Sequence, residues 1–189
     1  MIRIKTSTQP VSRLTAELVV AVIDPKKSLA TSDEPELSRA LTAAKRAFKN
    51  GLMREHVVHF GGRTRAKTLV AYYSGHESTH GLREAVKIFA ARSLAYASDY
   101  GYGRIAFLLN TRAGASLADC ATEGFVLGDY RFDKYLQDAR PSKLAAEVVC
   151  REEDGKQAAA DVKRARIVSD GVNSARDLVN EPGDRVVPR

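Results

Sequence analysis

Cysteine is scarce: the chain holds two, Cys120 and Cys150, in 189 residues. That number fits a reduced, cytoplasmic compartment better than a disulfide framework. Both sit among apolar neighbours and read as small core residues. No apolar run approaches the roughly 20 residues needed to cross a bilayer, so no membrane partner is expected. Met1-Ile2-Arg3-Ile4-Lys5 leads into polar residues with no hydrophobic stretch behind it, so no signal peptide is expected. Internal repeats, a heptad seam and low-complexity tracts are all lacking. So are a G-x-G-x-x-G fingerprint with a ribose-binding acid, a P-loop, and a G-x-S-x-G nucleophile elbow. The remaining composition, 44% hydrophobic and 28% charged, is that of one globular domain of ordinary core size.

Short apolar runs rich in β-branched residues predict strands. They fall at Ile2–Lys5, Leu18–Ile23, His56–Phe60, Thr68–Tyr73, Arg104–Asn110 and Ala146–Cys150. Helical spacing predicts helices at Glu36–Lys49, with Leu37, Leu41, Ala44 and Phe48 inward, and at Thr79–Asp99, with Leu82, Val86, Phe89, Ala90 and Leu94 inward. Two more cover Leu117–Leu136, weakened by Gly124 and Gly128, and Lys156–Asn180. Asp33 is placed to cap the first helix, with Pro35 in its first turn. From Thr68 onward strands and helices alternate, which implies a mostly parallel sheet covered on both faces; the paired strands near the start allow an antiparallel edge. The expected fold is an α/β three-layer α/β/α sandwich with a mixed, mostly parallel sheet.

The sharpest chemical pattern is His76-Glu77-Ser78-Thr79-His80, which matches H-E-x-x-H. On a helix, i and i+4 imidazoles can share one zinc while the Glu acts on its water. Here the pattern follows a strand directly, Gly81 weakens the turn, and no third ligand stands out downstream. It reads as a polar strand-to-helix loop. His56 and His59 lie three apart on a strand and should face opposite ways. The glycine-bearing loops Phe60–Arg63, Tyr73–His76 and Asn110–Gly114 are the places where a phosphate could sit, giving a nucleotide-binding alternative.

The formal charge is +7. Its basic clusters are Lys45, Arg46, Lys49 and Arg54, then Arg63, Arg65 and Lys67, then Lys163, Arg164 and Arg166. As a functional patch they would contact nucleic-acid phosphates without reading sequence. No aromatics interleave with them, so single-strand stacking lacks support.

Two stretches carry a family resemblance. Ala175-Arg176-Asp177-Leu178-Val179-Asn180-Glu181-Pro182-Gly183 ends the last helix, since Pro182-Gly183 cannot continue it. Glu123-Gly124-Phe125-Val126-Leu127-Gly128-Asp129-Tyr130-Arg131-Phe132-Asp133-Lys134-Tyr135 matches an E-G-x-x-L-x-x-Y-x-F-x-x-Y pattern. Together they resemble the leucyl aminopeptidases, the cytosol aminopeptidase family, at the segment joining its two domains; Asp184 stands where that family often has Asn. The resemblance implies a macro-domain-like N-terminal domain over residues 1–180 and the start of a linker over 181–189. It implies a cytosolic parent enzyme, a homo-hexamer, that hydrolyses N-terminal residues from peptides. Its two divalent metals, zinc or manganese, would be held by a catalytic domain after the linker. The motifs of the G-K-G-x-x-F-D-[ST]-G-G and N-T-D-A-E-G-R kinds that bind those metals have no counterpart here. No catalytic or metal residue is therefore carried onto this chain, and none of its residues is expected to hold a cofactor. A bacterial member also binds DNA, which keeps DNA as a possible partner; macro domains often bind ADP-ribose.

Overall fold

A computed structural model describes residues 1–182 apart from 25, 27–32, 52, 63, 75–78, 110–116 and 138–141. Six strands form one sheet in the order β1-β6-β5-β2-β4-β3. They are β1 (Arg3–Ser7), β2 (Leu18–Ile23), β3 (Glu55–His59), β4 (Thr68–Tyr73), β5 (Arg104–Leu108) and β6 (Ala145–Val149). All neighbours are parallel except β3 and β4, so the antiparallel edge is β3. The helices are α1 (Pro35–Lys49), α2 (Thr79–Asp99), α3 (Ala118–Gly128) and α4 (Gly155–Asn180).

β2 is buried along its whole length because both faces are covered, which is why it reads as a continuous apolar run. Leu18, Val20 and Val22 join one core with Val70, Phe107 and the inner faces of α2, α3 and α4. Val19, Ala21 and Ile23 join the other with Leu69, Ala106 and α1. Three helices thus cover one face, and α1 covers the other.

α1 starts differently from expectation. Glu34 occupies the N-cap, Pro35 follows, and no side chain caps the helix. Asp33 instead accepts hydrogen bonds from the Ser12 hydroxyl and backbone N–H. It holds the 3₁₀ turn at Val11–Arg13 rather than the helix.

α3 ends at Gly128, eight residues short of the predicted Leu136. Asp129 is its C-cap, with its N–H donating to the Phe125 carbonyl, and its carboxylate accepts from the Ile2 N–H at 2.6 Å. α3 crosses α2 closely. A methyl group built on Gly124 would lie 2.2 Å from the Lys87 carbonyl oxygen, and one on Gly128 3.0 Å from Ala91 Cβ. The glycines that lower helix propensity are what allow this approach.

Two ion pairs flank the crossing: Arg83–Asp119 at 2.5 Å and Lys87–Glu123 at 2.7 Å. Burial by itself would raise the Asp119 carboxyl. Arg83, with the N–H of Cys120, more than reverses this and holds it below its ordinary value. A lowered folded value means that the pair stabilises above the unfolded value of about pH 4 and is lost as pH falls through the folded one. Asp119→Asn is therefore expected to remove part of the acid-side loss of stability below about pH 4, measured as melting temperature against pH.

Candidate functional site

The described residues do not bring the sequence's chemical candidates into one site. His76, Glu77 and Ser78 of the H-E-x-x-H pattern lie outside the described residues, as do the whole of the 110–114 loop, Arg63, and Gly75 and His76 of the other two glycine-bearing loops; the chain of Thr79 and His80 opens α2. Among the described residues no three His, Cys, Asp or Glu side chains gather to hold a metal. His56 and His59 face opposite sides of β3. His59 Nδ1 lies 2.9 Å from the Thr68 hydroxyl, and Thr68 Oγ1 lies 2.8 Å from the Tyr102 hydroxyl. Cys120 is fully buried, and burial pushes its thiol up to about 12. Cys150 is half-buried and is also raised, chiefly by burial. Both thiols are held in their unreactive form.

The basic clusters are divided by the sheet. Lys45, Arg46 and Lys49 lie on α1, with Arg54 just before β3. Lys163, Arg164 and Arg166 lie on α4, against the opposite face and beside the opposite edge strand, β1. Arg164 and Arg166 are drawn toward Asp161 and Asp170 on their own helix, at 3.7 and 3.9 Å. Lys67 pairs with Glu17 at 2.7 Å, and Arg63 is outside the described residues. The two expected groups of cations thus do not form one continuous basic face.

What the fold does bring together is the two stretches that carry the family resemblance. They are more than forty residues apart in sequence and in direct contact. Asn173 on α4 donates to the Val126 carbonyl at 3.3 Å. Arg176 donates to the Leu127 carbonyl at 3.3 Å and lies 5.4 Å from the centre of the Tyr130 ring. The Tyr130 hydroxyl donates to Asp177 at 2.9 Å and accepts from Asn180 at 3.2 Å. Lys134 and the Tyr135 hydroxyl both bond the Glu181 carboxylate.

The electrostatics follow the contacts. The Tyr130 hydroxyl is raised by desolvation and then by Asp177; Lys134 is raised by its bond to Glu181. Every polar residue of Arg176–Glu181 thus turns toward residues 126–135, while Leu178 and Val179 stand outward, 62% and 84% exposed. The family resemblance singled out both stretches. Their contact was hidden, because the apolar spacing of Tyr130, Phe132 and Tyr135 reads as more helix.

The sheet order and the helices on both faces define a macrodomain-like α/β fold. A macrodomain of Oceanobacillus iheyensis solved with ADP matches it with a TM-score of 0.54 at 13% identity, over 87% of this chain and 90% of that one. A tomato leucine aminopeptidase mutant matches with a TM-score of 0.67 at 18% identity, over 100% of this chain and 40% of that one.

No family model matches the chain. Its sequence is similar to those of cytosol aminopeptidases. One from Persephonella marina is 40% identical over 76 residues, which are 39% of this chain and 15% of that protein. One from Roseiflexus castenholzii is 33% identical over 118 residues, 57% of this chain and 22% of that protein. The chain therefore spans well under a third of the length of the relatives it matches.

Proposed function

We propose that this chain is the N-terminal, non-catalytic domain of a cytosolic leucyl aminopeptidase-type enzyme. In this reading the parent hydrolyses N-terminal residues from peptides and works as a homo-hexamer. Its two divalent metals, zinc or manganese, would belong to a domain that follows residues 181–189 and would supply Lewis-acid activation of water there. No residue of this chain takes part in that step. The domain serves assembly or access to the active site.

The observation that supports the reading is the bonded contact between residues 126–135 and the end of α4. It fixes the direction in which the helix leaves the fold. It also turns Leu178 and Val179 outward, where the following domain would cover them. Similarity to cytosol aminopeptidases over only a fraction of their length fits a domain role.

The direct test is activity. This chain, purified and incubated with zinc or manganese, is expected to leave a leucine anilide substrate uncleaved above the metal-only control. Metal-dependent cleavage by this chain would overturn the reading.

A further inference from the structure

The sheet has two outer edges, and they are built differently. β1 carries Arg3 and Lys5, both exposed, and Lys5 pairs with Glu147 at 2.8 Å. Charge on an edge strand opposes pairing with another chain. β3 carries no Lys, Arg or Pro: its sequence is Glu55-His56-Val57-Val58-His59.

The hydrogen bonds at its two ends set the phase of the ladder. Tyr73 donates to the Arg54 carbonyl and Phe60 to the Lys67 carbonyl, each at 2.9 Å. In an antiparallel ladder these bonds recur at every second residue, so positions 56 and 58 also face β4. The N–H and C=O groups of Glu55, Val57 and His59 therefore point away from the sheet.

Partly apolar surface lies beside this edge. On the α2 side, Val57 is 37% exposed and Tyr100 52% exposed. The Tyr100 ring leans on His59, with centroids 5.7 Å apart. On the α1 side an open groove of about 540 Å³ runs between α1 and the strand, mixed in character, with Glu36 and Arg39 beside Ala40, Ala43, Val58 and Phe60.

We infer that the outer edge of β3 pairs with β3 of a second copy of this chain, across a two-fold axis through Val57, to join two sheets into one. The second copy is favoured because the strand complements itself. Antiparallel pairing centred on Val57 sets odd residues against odd ones, so all the outward N–H and C=O groups are satisfied together. It places Glu55 opposite His59 of the other copy at both ends, and Val57 opposite Val57. His59 Nδ1 is engaged by Thr68, which leaves Nε2 for that carboxylate. A slip of one residue would set outward groups against inward ones and reverse the faces. A slip of two would lose the Glu55–His59 match. The inference rests on the sheet alone and stands whether or not the aminopeptidase reading does.

Analytical ultracentrifugation of the full chain tests it, between about 1 μM and 1 mM. A concentration-dependent dimer is expected. Val57→Pro is expected to weaken it at least about tenfold, because the nitrogen at this position faces outward and proline there loses no bond to β4. His59→Glu should weaken it as well, by setting two carboxylates against each other, and adding Glu55→Lys should restore it. That rescue is a readout that damage to the fold cannot produce, and thermal unfolding of Val57→Pro checks that the variant remains folded. A chain that stays monomeric throughout overturns the inference. So does a dimer unmoved by Val57→Pro and by both charge variants, which would place the contact on another surface.

Discussion

Gly124→Ala is expected to destabilise the domain by about 3 kcal/mol, a fall of about 10 °C in melting temperature for a chain of this size. The sign is the informative part. In an exposed helix the same change stabilises by about 1 kcal/mol, because alanine costs less backbone entropy than glycine. Here the added methyl would meet the Lys87 carbonyl oxygen at 2.2 Å and Ala90 Cβ at 2.8 Å. A backbone carbonyl on a neighbouring helix cannot swing aside, so α2 and α3 must separate. Separation loosens the Arg83–Asp119 and Lys87–Glu123 pairs that flank the crossing. Gly171→Ala on α4 is the control. Nothing lies within 4 Å of the methyl it would add, so it should stabilise by about 1 kcal/mol. Thermal unfolding of the two variants separates close packing from propensity.

Phe125→Ala is expected to cost about 4 kcal/mol. Phe125 is fully buried in the core between α3 and the sheet, and its ring meets Phe107 edge-on, with centroids 5.6 Å apart and planes at 83°. Truncation loses the transfer energy of the ring and leaves a cavity that two helices and a strand cannot close. Phe125→Leu keeps much of the volume and should cost less than half as much. Equal losses for the two variants would mean that the site collapses freely, contrary to the packing described.

These two residues belong to one stretch, Glu123–Tyr135, and its parts do different work. Glu123 pairs with Lys87, Gly124 admits α2, Phe125 fills the core, and Tyr130, Lys134 and Tyr135 hold the end of α4. The motif is thus explained by packing and by anchoring of the last turn of α4.

Much of this fold was legible in the sequence because its signals are local. Leu18–Ile23 and Thr68–Tyr73 are apolar runs of strand length, and Thr79–Asp99 repeats at helical spacing; each forms with the expected bounds. Where expectation and structure part, a distant partner decides. Asp33 turns from the helix to Ser12, and the carboxylate of Asp129, at the end of α3, takes the Ile2 N–H. The basic residues of α1 and α4 look alike in sequence, yet the sheet stands between them. The contact of Tyr130 with Asp177 and Asn180 bridges residues 47 and 50 positions apart, beyond the reach of any periodicity.

The claim on which the functional reading depends is that α4 is held rigid to its last turn by residues 126–135. Native-state hydrogen exchange tests it most directly, comparing the wild-type chain with Arg176→Ala. Residues 173–180 should be protected in the wild type and lose that protection in Arg176→Ala, while residues 158–169 keep theirs. Exchange at 173–180 that is already fast in the wild type, or unchanged by the substitution, would contradict the account.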